Sequence, residues 1–574
     1  MILHALKDYY YRKASDSDSQ MAPPGWEWKE IPYILVLNKE GIPIGLNHTV
    51  EGSGKAKRIK RFLVPKGVKK TSGVASNLLW ENPEYALGIV PEGGKADRIA
   101  EQHAAFKNRI SELGDITDAC LGAVKSFLRR PDKEALLLSF GDTWKQLLDE
   151  SANLTFQLAG ELGLVSDGPA IKAAILAQLS TAPGDQSICL VTGEKDTTER
   201  LHSAIKGVWG AQTSGANIVS FNSAAFSSYG KAQGANAPIG KTAAFAYTEA
   251  LNHLLGKDSN QRLQVGDAST VFWSEKVTSF EQHVVDFFGE PPKDDPDRNV
   301  RAVESLFKSP HTGTLPEAED QTRFYVLGLA PNASRISIRF WMVDTVAGMS
   351  GKLRQHFDDL RIVHGPKERD SFSLFRLLVS TASLGKSENI QPSLTGETMR
   401  AILSGTAYPE TLAQAAIRRI RAEHEITYIR AALLKACLNR SLRLYNPTQE
   451  KKITMILDPT NLNIGYRLGR LFAALEKIQS ESSPGLNATI RDKFYGAASG
   501  TPVAVFGNLM RLKNHHLAKL ENAGRRINFE RLIGEIMSSL TDFPPHLTLA
   551  DQGRFAIGYY HQTQDFFTKT SDKK

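Results

Sequence analysis

Apolar Ile2, Leu6 and Tyr9-Tyr10 recur at helical spacing and predict a short opening helix. Residues 15–24 are polar and turn-rich and read as an exposed loop. Apolar runs at 31–37 and 42–46 flank the turn Asn38-Lys-Glu-Gly41, which predicts a β-hairpin. Helical patterning dominates residues 97–128. Further strands are predicted at 154–158, 188–192, 270–273, 324–329 and 336–342, with helices at 170–179 and 243–255 among them. The order shows neither strict β-α-β alternation nor an internal repeat, so the pattern is mixed α+β.

After about Gly365 the strand signals fade. Residues 409–445 form a long helical stretch carrying Arg418, Arg419, Arg421, Arg430, Arg440 and Arg443. A second helical block follows Asp458-Pro459. There Ile464, Leu468, Leu471, Leu475 and Ile478 make one stripe, and Arg467, Arg470 and Lys477 make a basic stripe beside it. Pro484-Gly485 breaks that helix. Thr501-Pro502 has the form of a new start, Ala523-Gly524 of its end, and Asn528 begins the next. Pro544-Pro545 separates the last helix, which Thr548-x-x-Asp551 opens as a capping box. Four short helices predict a small bundle. The expected organisation is a large α+β domain over 1–365, a helical connection over 366–454 and an all-α C-terminal bundle over 455–574.

The chain has 574 residues, long enough to bury a core without disulfides or metals. Its composition is neither that of a disordered chain nor that of a membrane chain. No apolar run suffices for a spanning helix, and the first eight residues meet charge too soon for a signal-peptide core. Cys120, Cys189 and Cys437 are too dispersed for a disulfide framework, which points to a reducing cytoplasm. The net charge is +8, and its distribution matters more than its total. Between Gly52 and Trp80 there is no Asp or Glu, yet Lys55, Lys57, Arg58, Lys60, Arg61, Lys66, Lys69 and Lys70 all lie there. A strand ending at Pro65, a turn-forming 66–73 and a helix expected over 74–79 would present lysines, hydroxyls and a helix N-terminus to an anion. The bland reading of such a run is a solvated face. The absence of any acid over this length favours polyanion binding.

The residues offer little catalytic chemistry. Gly234-Ala-Asn-Ala-Pro-Ile-Gly240-Lys241-Thr242 has five residues between its glycines where a phosphate cradle needs four, and a proline removes one amide. There is no G-x-S-x-G elbow, H-E-x-x-H helix or paired C-x-x-C. Adjacent His515 and His516 point to different sides of a helix. Pro131-Asp-Lys-Glu134 only faintly resembles a nuclease cluster, and Cys189 reads as strand core. Residues 193–273 are instead rich in glycine, amides and hydroxyls, with few acids. Gln212, Thr213, Ser214, Asn217 and Asn236 form a neutral set suited to base edges. Taken singly, such residues more often bond to their own backbone.

Several long strings together resemble the large subunit of the type I-C CRISPR surveillance complex, Cascade. They are Phe62-Leu-Val-Pro-Lys-Gly-Val-Lys-Lys-Thr-Ser-Gly73 with Leu79-Trp-Glu-Asn-Pro-Glu-Tyr85, Cys189-Leu-Val-Thr-Gly-Glu194, Ile205-Lys-Gly-Val-Trp-Gly-Ala-Gln212 and Gln233-Gly-Ala-Asn-Ala-Pro238. The opening Met1-Ile-Leu and Ile336-Ser-Ile-Arg-Phe-Trp341 also match, so the resemblance extends from the first residue into the helical C-terminal third. The chain departs from the pattern at Lys231-Ala-Gln233, which lacks an expected acid, and at the loop 15–20.

The resemblance implies a non-catalytic subunit with no cofactor and no metal. A guide RNA held by backbone subunits and a guide-5′-end-binding subunit reads the target. This chain would read a short, TTC-like protospacer-adjacent motif in double-stranded DNA, promote duplex opening and R-loop formation, and help recruit a transient helicase-nuclease for antiviral defence. Lys69 and Lys70 would grip phosphates, with Arg58, Lys60 and Arg61 beside them. Thr71, Ser72 and Asn77 form one candidate set at the motif, and Gln212, Thr213, Ser214, Asn217 and Asn236 form a second. Either set could enter the groove. The bundle would correspond to the small subunits and would be translatable alone from Met455, with Arg467, Arg470 and Lys477 along the DNA path. The alternatives are a nucleic-acid-processing nuclease with an unrecognised carboxylate site, and a structural subunit without groove contact.

Overall fold

A computed structural model of the chain describes residues 1–16, 19, 21–52, 58–68, 70, 73–90, 95–181, 185–289, 291, 321–445 and 452–567. They fall into two compact units. The first holds Leu3–Ser203 and Val219–Ala250 with Met1, and the second holds Ala204–Ile218 and Leu251–Lys574 with Ile2. This division differs from the expected boundaries at 365 and 454.

The opening helix is Ile2–Ala14. The strands of the first unit are β1 (Trp26–Glu30), β2 (Tyr33–Leu37), β3 (Pro43–His48), β4 (Val50–Glu51), β5 (Arg58–Ile59), β6 (Arg61–Pro65), β7 (Trp80–Glu81), β8 (Leu154–Leu158), β9 (Gln186–Ile188) and β10 (Lys195–Thr197). The main sheet has the order β3-β2-β8-β7, with β2 and β8 parallel and the other pairs antiparallel. The expected hairpin is β2–β3. Asn38 closes its turn, its Oδ1 accepting from the Glu40 and Ile42 amides at 3.1 and 2.7 Å. Gly41 (φ +76°) lies so close to the helix Ala119–Arg129 that a side-chain carbon would stand 2.6 Å from Phe127 N. The helical stretch 97–128 is broken into Ala96–Ser111 and Ala119–Arg129, the second capped by Asp118. The two helices set Phe106 and Phe127 against Phe156 of β8, with ring centroids 6.2 and 6.3 Å apart. β1 pairs antiparallel with β6, and β4 with β5.

One strand prediction is corrected. β9 stops at Ile188, and Cys189–Val191 turn instead, the thiol accepting from the Val191 amide at 3.4 Å. Cys189 is buried as expected, but Ile188 and Leu190 are exposed.

In the second unit β11 (Arg262–Val265), β12 (Ala268–Ser274), β13 (Arg323–Asn332) and β14 (Arg335–Thr345) form an antiparallel meander in that order. β12 is buried along its whole length, with Ser269, Thr270 and Ser274 enclosed beside its apolar residues. Trp273, Tyr325 and Trp341 stack across β12–β14, the last two with centroids 5.5 Å apart and planes 9° apart. The stretch 409–445 is two helices, Glu410–Glu423 and Tyr428–Tyr445, separated where His424 turns left-handed (φ +54°).

The C-terminal region has five helices among the described residues, Ile464–Ser482, Ile490–Gly500, Phe506–Ala518, Ala523–Met537 and Leu549–Phe567, where four were expected. Ala523-Gly524 opens a helix rather than closing one, because the Asn522 side chain accepts from the Arg525 amide at 3.0 Å. Thr501-Pro502 begins only the short turn Pro502–Ala504. Thr548 and Asp551 do cap the last helix. One hydrophobic core runs from the sheet (Phe272, Phe324) through Leu412 and Leu434 to Leu471, Phe555 and Tyr559, so the bundle has no separate core. The molecule is α+β, as the residue pattern indicates.

Candidate nucleic-acid interface

The acid-free segment begins just after β4 and takes in β5 and β6. Arg58, Lys60 and Arg61 are all exposed here, while Val64 and Pro65 are buried. Glu51 is 3.9 Å from Lys60, and both side chains are more than half exposed, so this contact hardly neutralises the cluster. Lys66 lies over the Phe245 ring, 4.9 Å from its centroid.

Beyond Pro65 the expected helix over 74–79 does not form. Leu79 takes φ +62°, Trp80 enters β7, and the local helix is the single turn Pro83–Ala86 capped by Asn82. No helix N-terminus is therefore presented at 74. Side-chain hydrogen bonds organise the loop instead. The Val68 amide donates to Asn77 Oδ1 at 2.9 Å, and the Gly67 amide to Glu27 Oε1 at 3.0 Å. Trp80 Nε1 donates to the Pro65 carbonyl at 2.8 Å, and the Asn77 amide to Glu81 Oε1 at 3.1 Å. Asn77 is buried and braces the base of the loop. The charge of Lys70, expected on a phosphate, is already engaged: Nζ lies 2.5 Å from the buried Glu81 carboxylate and 3.9 Å from the Tyr85 ring centroid. Lys69, Thr71 and Ser72 lie outside the described residues.

The second candidate set divides between the units. Gln212, Thr213 and Ser214 are exposed on a loop of the second unit closed by the Ile205–Ala216 bridge. Gly215 (φ +90°) completes its turn with its amide on the Gln212 carbonyl at 2.8 Å. Asn217 is half-buried, and its backbone pairs beside β14. Asn236 belongs to the first unit and spends its amide locally. It accepts from the Ser228 amide at 2.9 Å and donates to the Lys231 and Gln233 carbonyls at 3.1 and 2.9 Å.

The expected basic stripe of the bundle turns inward. Arg467 donates to the Asn461 and Ile536 carbonyls at 2.9 and 2.8 Å, and burial beside Arg470 holds its guanidinium below the usual value. Arg470 donates to Gln562 Oε1 and Glu535 Oε1 at 3.0 and 2.9 Å. Both arginines are buried. Lys477 pairs with Glu481 at 3.4 Å, a carboxylate that Arg525 also holds at 2.6 Å. The three therefore do not form a free cationic surface. Exposed bundle cations lie elsewhere, at Arg511, Lys519 and Arg531. Exposed Trp209, in the loop that carries Gln212, was also missed.

Among the described residues no group of three or more His, Cys, Asp and Glu is placed to hold a metal ion, and no helix is long and apolar enough to cross a membrane. At the near P-loop, a carboxylate stands where a phosphate would be cradled. Asp196 Oδ2 accepts from the Thr242 amide at 3.2 Å, and a side-chain carbon on Gly240 would stand 2.2 Å from it. In the 131–134 string, Asp132 pairs with Arg130 at 2.7 Å, and Lys133 Nζ lies 3.0 Å from His103 Nε2. Burial pushes Lys133 down to about 8 and His103 down to about 4, so near neutral pH the Lys133 ammonium lies against an uncharged imidazole.

The geometry is that of an exposed cationic edge on β5 and β6 ahead of a braced loop, with neutral polar loops elsewhere in the chain. No curated protein sequence matches the chain. The family model for CRISPR-associated protein Cas_Csd1 matches residues 6–567, nearly the whole chain, and the chain belongs to that family. It is thereby a CRISPR-associated protein of the Cascade type.

Proposed function

We propose that this Cas_Csd1-family chain is the non-catalytic large subunit of a type I-C Cascade complex. It reads the protospacer-adjacent motif in double-stranded target DNA, promotes opening of the adjoining duplex and R-loop formation, and helps recruit the helicase-nuclease. Sequence is read by the guide RNA, so this chain needs only a short groove contact and a grip on the backbone, with no bond-breaking step of its own.

The observation that carries the reading is the cationic edge. Arg58, Lys60 and Arg61 are exposed within a segment that contains no acid, on strands whose following loop is braced by Asn77 and Glu81. Water-exposed cations on a fixed edge suit phosphates, because binding releases condensed counterions. The guide-loaded complex carrying Arg58→Ala, Lys60→Ala and Arg61→Ala should bind every duplex more weakly. The slope of log affinity against log salt should shrink by about 0.9 for each phosphate that the variant no longer neutralises. Wild-type affinity and slope in the triple variant would remove the edge from the DNA-binding surface.

A further inference from the structure

From Arg200 to Thr248 the chain contains no Asp or Glu, and the stretch carries Arg200, Lys206, Lys231 and Lys241. Within it the Lys231 amide donates to the Ser228 carbonyl at 2.9 Å, closing a tight turn. Both central residues are left-handed, Tyr229 at φ +52° and Gly230 at φ +68°. Glycine takes such a backbone freely, and Asn or Asp tolerates it. A bulky aromatic residue there is strained. Tyr229 is also 98% exposed, so its ring gains nothing from burial in return.

The turn is held firmly from below. Asn236 binds three backbone groups around it, accepting from the Ser228 amide and donating to the Lys231 and Gln233 carbonyls. Arg200 Nη1 donates to Gln233 Oε1 at 2.5 Å, and the Gly234 amide reaches the Arg200 carbonyl at 3.2 Å. A side-chain carbon on Gly234 would stand 2.2 Å from the Glu199 carbonyl, so the base of the turn is tightly packed. Strain kept by a rigid base, with an unburied aromatic ring at the tip, is an arrangement that favours a ligand over the fold itself.

We propose that Tyr229 is a stacking platform for an unpaired nucleobase of the opened target duplex, with Lys231 placed for the adjoining phosphate. The chemistry fits a base better than a protein pocket. The flanking Ser227, Ser228, Gly230 and Gln233 supply no aliphatic rim, whereas an exposed ring two residues from a lysine, in a stretch of chain without acids, suits the stacking of a single strand. The inference rests on the duplex-opening role proposed above and adds the residue that would hold a displaced base.

The test uses the full chain in the guide-loaded complex. Tyr229→Ala should weaken binding of a motif-bearing duplex by at least about fivefold, while Tyr229→Phe stays within about twofold of wild type. Tyr229→Gly should lose as much affinity as Tyr229→Ala, with a thermal midpoint no lower than wild type because the backbone strain is relieved. A photo-crosslinking residue, p-benzoylphenylalanine, at position 229 should label target DNA. Equal affinity of the Ala and Phe variants, or crosslinks to protein subunits only, would overturn the inference. If wild type binds motif-bearing and motif-free duplexes equally, the functional reading fails instead. The crosslink to DNA still decides the role of Tyr229.

Discussion

Glu81 sets an acceptor-only side chain, 2% exposed, where three donors converge: Lys70 Nζ at 2.5 Å, the Asn77 amide at 3.1 Å and the Asn82 amide at 3.2 Å. Asn77 in turn supplies the acceptor for the Val68 amide. Asn77→Ala leaves that amide without its partner and should lower unfolding free energy by about 1–3 kcal/mol in urea titration. An unchanged midpoint would show that the loop is not braced there. The cationic run was legible from residue identity alone, because nothing acidic interrupts residues 53–79. What became of each charge was not. Lys70 meets a carboxylate just beyond that run, and Arg470 meets Glu535 and Gln562 from distant helices. Tertiary packing makes these contacts, and periodicity carries no information about them.

The two longest helices of the C-terminal region, Ile464–Ser482 and Leu549–Phe567, approach through glycines. A side-chain carbon on Gly469 would stand 2.0 Å from the Phe555 carbonyl, and one on Gly558 2.1 Å from the Tyr466 carbonyl. Gly469→Ala should therefore cost at least about 1–3 kcal/mol by forcing the backbones apart. Gly534→Ala, in open space on the Ala523–Met537 helix, should be neutral or stabilising by up to about 1 kcal/mol. Thermal unfolding of the two variants checks the pair, and equal midpoints would contradict the close seam. Caps and turns were readable because their signals are local: Asn38 with Gly41, and Thr548 with Asp551. The helix over 74–79 was misread because Asn77 and Glu81 outcompete helical hydrogen bonding there. The Ile490–Gly500 helix went unseen, although Thr489 and Asp492 cap it, because a short segment gives few apolar repeats.

At the scale of the molecule, the net charge of +8 hides a local concentration. Of the cations expected to meet DNA, Arg58, Lys60 and Arg61 remain exposed, whereas Arg467 and Arg470 are structural. The expected bundle boundary at 455 separates no core. Leu434 and Leu438 pack near Gly553, and the Tyr560 hydroxyl donates to the Val363 carbonyl at 2.8 Å. A chain starting at Met455 would leave that side of the last helix uncovered. The central claim is that this chain, within a guide-loaded complex, reads a short motif beside the target. The most direct test is the affinity of that complex for two duplexes identical in target and differing only at the adjacent motif. The account predicts tighter binding of the motif-bearing duplex, by about tenfold or more, the discrimination that reading one base pair supplies. Equal affinity for the two duplexes would contradict it.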